Sequence, residues 1–431
     1  MQQATTLSAG APRTAGFRLR HGRALLRAAV IALGVVALWS FVIQPLTGHF
    51  SGQFEDFRAY IAAARDMAAG RSPYTSFDGN ASVVMSGFDY PPFGAVLVRP
   101  LALLDDHWAM TLWLWMSLAC TVAGALVVAR TALPERSPRT EIGLLFAFGF
   151  TPATYNYWHG QMNPVIFLLL ALAFRQWVRG RELSTGVLLG LAAGIKLAPA
   201  VLIVVMLRRH WWRGSVAMAG TGLASVVVAT ALLGTGVMRS FIDGVLPSLT
   251  RETGWIYNQA LSGALSRAAD HSVIDIQPAS APLHYLSLLG SVVLLGVAAW
   301  CVRPGRRDPV DRSAEFGVAV LAMLLAGTIA WFPHFTHLII PLAAAGGVVA
   351  ARGWQRSRWL LVATGVVLVL FGVVLPAVLG AILDLNALRS FHGSGAWWPA
   401  IQLFSLPVLA VVALMATLAR SARARRPAAA G

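Results

Sequence analysis

The first carboxylates of the chain, Glu55 and Asp56, stand side by side just past an apolar run, in Gln53-Phe54-Glu55-Asp56-Phe57-Arg58-Ala59-Tyr60. An aspartate in that place has two jobs open to it. At the start of a helix it accepts backbone N–H bonds as a cap. At a membrane border, partial desolvation raises its pKa and suits it to take a proton from a sugar hydroxyl. Further along, Trp331-Phe-Pro-His334-Phe-Thr-His337 sets two histidines one helical turn apart. They read as a metal pair lacking an evident third ligand, as wetted interfacial side chains, or as donors to a phosphate at the membrane face. Lys196, the sole lysine, lies within an apolar run in Ala193-Gly-Ile-Lys196-Leu-Ala-Pro199. It either lines a cavity or, if the helix breaks at Pro199, snorkels to the cytoplasmic face. Two amide clusters, His159-Gly-Gln161-Met-Asn163 and Tyr257-Asn258-Gln259, sit beside Trp158 and Trp255. Amides next to aromatics suit a carbohydrate, and they equally suit an interfacial belt.

The elements that must carry these groups are membrane helices. Of the 431 residues 57% are apolar and 12% charged, and mean hydropathy is +0.66. Soluble folds carry about a quarter charged residues, so the chain reads as an all-α polytopic membrane protein. The net charge of +16 does not point to nucleic acid, because the arginines collect in short loops and at both ends, as the positive-inside rule expects. Cys120 and Cys301 fall inside apolar runs and read as buried thiols.

Residues 1–27, with five arginines and no acid, are expected to be a disordered cytoplasmic tail that sends a first helix, 28–46, outward. Residues 54–69 read as an amphipathic helix in the outer interface, with Phe57, Tyr60, Ile61, Ala64 and Ala68 on one face and Gly70 as its stop. Outer loops are expected at 47–90 and 236–282, within one membrane domain spanning 28–419, before a basic cytoplasmic tail at 420–431. Several apolar runs, 91–104 among them, are shorter than the roughly 20 residues a crossing needs, which suggests half-membrane elements lining a cavity. If 91–104 is re-entrant, the Arg136/Arg139 and Arg175/Arg179/Arg181 loops come inside with the other arginines; if it crosses, they lie outside, against the charge bias.

There is no P-loop, no dinucleotide glycine fingerprint, no zincin pattern and no Asp-x-Asp pair. The order of the remaining landmarks carries a resemblance. An Asp after the first helix, Gly70-Arg-Ser-Pro-Tyr74, Tyr90-Pro-Pro92, Gly160-Gln-x-Asn163, Ile195-Lys196 with Pro199, Asn258-Gln259 with Arg267, and Trp331 with His334 resemble the GT-C membrane glycosyltransferases of family 87, over about residues 50–345. Relatives often carry adjacent histidines after the tryptophan, where this chain has His334 and, a turn later, His337. The resemblance implies a GT-C type bundle of about 10–13 transmembrane or half-membrane helices. It implies an inverting transfer of a sugar, mannose before arabinose, from a polyprenyl-phosphate donor to a glycolipid such as a phosphatidylinositol mannoside. Asp56 would be the base and His334 a contact to the donor phosphate, with Arg58, Tyr90, Gln161, Asn163, Lys196, Asn258, Gln259 and His337 binding substrate. No metal or other cofactor is expected. The enzyme would be a plasma-membrane monomer with both termini cytoplasmic and its site outside. The rival from another class is a lipid or sugar transporter, with Lys196 on its path, and an internal hydropathy repeat that would support it is not evident.

Overall fold

The computed structural model describes residues 13–52, 54–75, 87–249, 251–270, 280–377 and 397–424. The polar loop Arg71 to Asn80 leaves that range after residue 75, and residues 271–279 of the loop expected at 236–282 lie outside it. Among the described residues every named element is helical, and seven helices are long and apolar enough to cross a membrane. This is an all-α polytopic membrane protein.

Helix α1, Arg13–Leu38, continues through a wider turn to Leu46. The basic stretch 13–27, expected to be disordered, is therefore helical. Its alanines, leucines and arginines are good helix formers and the apolar half continues their register. Helix α2, Glu55–Ala68, follows, and then α3, Pro92–Val98, runs into a 3-10 turn, Arg99–Leu103. Helix α4, Asp106–Ala132, is the next long span. Helices α5, Arg139–Gly149, and α6, Thr151–His159, together climb back, and α7, Asn163–Arg179, descends.

Helix α8, Glu182–Ile195, rises to Lys196, and a 3-10 turn, Ala198–Leu202, leads into α9, Ile203–Arg208, which returns. Helix α10, Trp212–Leu233, then rises alongside α8. Gly186, Gly190 and Gly194 share one face of α8, and a Cβ on any of them would come within 2.0, 2.5 and 2.5 Å of Gly214, Met218 and Ser225. Small residues at a spacing of four let two membrane helices approach this closely. Helix α11, Leu261–Ala268, stands in the long connection between α10 and the next membrane helix. Four further helices follow: α12, Ala281–Cys301, α13, Pro309–Leu325, α14, Ile339–Arg352, entered through a 3-10 segment Phe332–Leu338, and α15, Arg358–Val369. Helix α16, Leu406–Arg423, ends the described chain, so part of the segment assigned to a basic tail is helix as well.

The arginine-rich loops meet at one end of the bundle. Arg23 donates to the Arg136 carbonyl and Arg27 pairs with Glu141, both at 2.9 Å, which sets the 133–141 loop beside the N-terminal end of α1. Arg312 donates to Val178 O and Arg306 to Ala422 O. Arg352 bonds Ser421 O. Arg209 and Glu315 form a buried pair, the guanidinium 5.2 Å from the Trp177 and Trp211 rings. At the opposite end Arg65 pairs with Asp106, so α3 and its 3-10 turn leave and return on the same side, packed on α2. The segment 91–104 is thus re-entrant and does not cross.

Candidate active site

Asp56 is the second residue of α2 and does not cap it. Phe54 holds the N-cap position in left-handed backbone, φ 52°, with no side-chain cap bond, and its N–H donates to Trp158 O over 3.1 Å. The Asp56 carboxylate is thereby left to tertiary partners. The apolar face of α2 anchors it: Phe57, Tyr60, Ile61, Ala63, Ala64 and Met67 are buried, with Phe57 and Tyr60 against Trp113 of α4. Opposite α2, α6 ends at Gly160 with φ +68°, and Trp113 Nε1 donates to its carbonyl over 2.8 Å. A Cβ on Gly160 would lie 2.6 Å from Phe57 Cβ. Only glycine serves there, where the backbone turns left-handed against a neighbouring helix.

That turn delivers Gln161 and Asn163. Gln161 Nε2 donates to Asp56 Oδ2 over 2.9 Å, and Asn163 Nδ2 donates to Gln161 Oε1. Asn163 Oδ1 accepts from Lys196 Nζ over 3.0 Å, and Lys196 Nζ lies 2.8 Å from His334 Nε2. One hydrogen-bonded line therefore runs Asp56, Gln161, Asn163, Lys196, His334 across parts of the chain up to 278 residues apart (334 − 56). The Tyr90 ring lies 5.3 Å from Nζ, and its hydroxyl accepts from Tyr60 over 3.0 Å. The helix does break before Pro199, but the ammonium turns into the bundle toward Asn163 and His334 instead of snorkelling out. With the ammonium donating, His334 accepts at Nε2 and carries its proton on Nδ1.

Burial raises the Asp56 carboxyl above the usual range for aspartate. The nearby His159, the Gln161 hydrogen bond and Lys196 oppose that rise, and Glu55 adds to it. Asp89, not among the expected site residues, lies close enough to Asp56 and Lys196 to share the site. Burial pushes it up to about 6, with Lys196 opposing and Asp56 reinforcing the shift. Nothing but its place before Tyr90-Pro-Pro marked it. Glu55 faces outward, 3.7 Å from His159 Nδ1.

Other expected site residues stand elsewhere. Asn258 is fully buried, and backbone groups satisfy its amide: Nδ2 donates to Thr253 O and Thr328 O, while Oδ1 accepts from Ala330 N and Ala260 N. It braces the 251–260 segment against 328–331, with an isolated bridge to Trp331, and so helps position the His334 turn. A self-contained amide does this work wherever two loops must be pinned. Gln259 is buried too. Its N–H bonds Ala330 O over 2.9 Å and its Nε2 bonds Ile256 O over 2.7 Å. His337 is buried against Phe167, rings 6.2 Å apart and nearly parallel. Arg58 lies on the exposed face of α2. Among the described residues no three His, Cys, Asp or Glu side chains converge as metal ligands. Arg267, named with Asn258 in the sequence, is buried and donates to the carbonyls of Gly254, Trp255, Asn258 and Phe404.

An all-helical membrane bundle with a carboxylate, an ammonium and an imidazole joined at one end suits transfer chemistry on a substrate carried in the bilayer. The model of glycosyltransferase family 87 matches residues 88–328, more than half of the chain, and the chain belongs to that family; it is a glycosyltransferase. The matched window holds Tyr90, Gln161, Asn163, Lys196, Asn258 and Gln259 but neither Asp56 nor His334. A polyprenol-phosphate-mannose-dependent alpha-(1-2)-phosphatidylinositol pentamannoside mannosyltransferase of Mycolicibacterium smegmatis is 27% identical over 344 residues, 77% of this chain and 78% of that protein. Its namesake in Mycobacterium tuberculosis is 25% identical, covering 74% of this chain and 71% of its own. A polyprenol-phosphate-mannose-dependent alpha-(1-2)-phosphatidylinositol mannoside mannosyltransferase of Mycobacterium tuberculosis is 26% identical, covering 83% and 82%.

Proposed function

We propose that this chain transfers a mannosyl group from a polyprenyl-phosphate donor to a hydroxyl of a glycolipid, a phosphatidylinositol mannoside being the favoured acceptor. The observation that carries the reading is the single line of hydrogen bonds from the Asp56 carboxylate to Lys196 and His334. It supplies a base at one end and donors for a phosphate at the other, which is what displacement of a phosphate by an alcohol requires. The names of the relatives support mannose as the sugar and a lipid-linked phosphate as the leaving group.

In this reading Asp56 removes the proton as the acceptor oxygen attacks the anomeric carbon. The bond to the phosphate oxygen breaks on the opposite face, so configuration inverts and a β-linked donor gives an α-mannoside. Two of the three N–H bonds of Lys196 go to Asn163 and His334. The third serves a phosphate oxygen, and His334 Nδ1–H is a second donor to the developing charge. The protein's own cationic group meets the phosphate, so no metal or other cofactor is invoked. The raised pKa of Asp56 brings the base closer to working pH, where proton transfer is most efficient. Placing the arginine-rich end in the cytoplasm puts both termini there and the site at the outer face of the plasma membrane. The catalytic unit is the single chain.

The test is transfer from radiolabelled polyprenyl-phosphate mannose in membranes holding the wild type or Asp56→Asn, with the arabinose donor run alongside. The wild type should label a glycolipid from the mannose donor alone. Asp56→Asn should fall by at least about a hundred-fold, the scale of a lost general base, at equal amounts of extracted protein. Wild-type rates from that variant would remove Asp56 from the chemistry, and labelling from the arabinose donor would change the sugar.

A further inference from the structure

Asn156 lies one helical turn before Gly160 on α6, fully buried, and takes no part in the chemistry described above. Its Nδ2 sits 2.7 Å from the Pro152 carbonyl oxygen, 3.1 Å from that of Pro333 and 2.6 Å from the Thr336 hydroxyl. That hydroxyl lies 2.9 Å from the same two carbonyls. Carbonyls only accept, and the one hydroxyl proton goes to them, so every oxygen around Nδ2 calls for a hydrogen. The amide is held with its nitrogen toward Pro152, Pro333 and Thr336. Its Oδ1 must then face Asn163, whose Nδ2 donates to it over 3.0 Å.

The orientation propagates from there. Asn163 spends its second N–H on Gln161 Oε1, which leaves its own Oδ1 for Lys196 Nζ. Gln161, with Oε1 taken, turns Nε2 to Asp56 Oδ2. An amide reversed anywhere along this line would set oxygen against oxygen or N–H against N–H, and in a buried network such a mismatch is costly. The Pro333 and Thr336 contacts also fasten the turn that bears His334 to the helix that leads into Gln161.

We propose that Asn156 is a positioning residue that sets the direction of the whole amide line, so that Asp56 receives an N–H and Lys196 finds an oxygen. This rests on the reading of Asp56 as the base. Asn156 touches no reacting atom, and its effect on catalysis travels through Asn163 and Gln161.

The experiment replaces Asn156 with leucine, of similar size and without polar atoms, and measures transfer from polyprenyl-phosphate mannose against pH. With the amide line free to reverse, kcat should fall about ten- to a hundred-fold, the scale of a small misplacement of a reacting group, with both KM values within about two-fold. The rising, acidic limb of the profile should move to higher pH, because Asp56 loses the N–H that favours its charged form. The other groups that face Asp56, namely His159, Lys196, Glu55, Asp89, Tyr60 and Tyr90, remain in place and do not account for the move. A purely structural defect would lower the amount of folded enzyme and leave KM and the pH midpoint of the survivors unchanged. Folded Asn156→Leu with the wild-type kcat and pH profile overturns the proposal. If Asn156→Leu yields no folded protein, Asn156→Ala decides, since it too removes the N–H groups toward Pro152 and Pro333 and the oxygen that orients Asn163: a loss with the same alkaline move supports the proposal, and a wild-type profile overturns it. A wild type that transfers no mannose removes the functional reading and this inference together, whereas an active wild type beside an unmoved variant removes this inference alone.

Discussion

Asp56 and Asp89 place two carboxylates about one ammonium, and their mutual repulsion has a measurable sign. Asp89 is pushed up to about 6 by burial, with Asp56 contributing, and once ionised Asp89 repels the Asp56 carboxylate in turn. A base must be ionised to work, so transfer should rise with pH through the acidic range, with a midpoint above that of a free aspartate. Asp89→Asn removes the repelling charge and keeps the shape. The rising limb should then move to lower pH, by about half a unit to one unit if the coupling matches that of neighbouring carboxylates partly offset by a cation. A rate–pH profile on the purified variant reads this directly, and a limb that moves upward instead would mean Asp89 acts by holding Lys196 in place. At this scale the sequence was informative where a residue type was rare for its surroundings: a lone lysine in an apolar run, a first carboxylate at a membrane border. It was silent on Asp89, one acid among seven between residues 47 and 106, because half-burial opposite Lys196 depends on how α3 folds back on α2. It was silent also on whether an amide faces a pocket. Asn163 and Asn258 read alike on paper, and only their partners separate them: three side chains, Asn156, Gln161 and Lys196, for one, four backbone groups for the other.

The elements that matter most are two turns and the short helix between them in space. Helix α2 was legible from its apolar periodicity and its glycine stop. Its N-terminus was not, because Phe54 takes a left-handed conformation that no local rule assigns to phenylalanine. The contact that holds Phe54 there, its N–H on Trp158 O, comes from more than a hundred residues away. The same packing makes Gly160 the most sensitive position of the site that bears no chemistry. Its φ of +68° disfavours any side chain, and an added Cβ would meet Phe57 Cβ at 2.6 Å. Gly160→Ala should therefore cost about 1–3 kcal/mol of stability, read as a lowered thermal transition in detergent. Because relief of that clash must part α2 from the 160–163 turn, it stretches the Gln161 to Asp56 bond, and kcat should drop about ten-fold or more while the protein still folds. A stable Gly160→Ala variant of full activity would show that the two turns give way without disturbing the carboxylate.

At the scale of the whole molecule the chain divides into a basic end and a catalytic end. Loop composition announced that division before any contact was known: arginines at 136–139, 175–181, 208–213, 303–312, 352–358 and 420–426 are spaced as alternate loops of a membrane bundle. Composition could not decide whether 91–104 crosses. The structure does so through the Tyr60 to Tyr90 bond and the Arg65 to Asp106 pair, which bring the two ends of that segment to α2. A definite pattern of accessibility follows. If the arginine-rich end is cytoplasmic, a cysteine at exposed Ala69, just past α2, faces outward, while one at exposed Arg356, between α14 and α15, faces inward. The native thiols interfere little, since Cys301 is buried and Cys120 half-buried within membrane helices that a water-soluble reagent does not reach. In intact cells a membrane-impermeant maleimide should label Ala69→Cys and leave Arg356→Cys untouched until the membrane is opened. The reverse pattern would put Asp56 on the cytoplasmic side, and the donor would then have to present its sugar from the inner leaflet. Asp56 and Lys196 would keep their contacts in that case, since the hydrogen-bonded line does not depend on which side faces out, so the labelling separates where the reaction occurs from how it occurs.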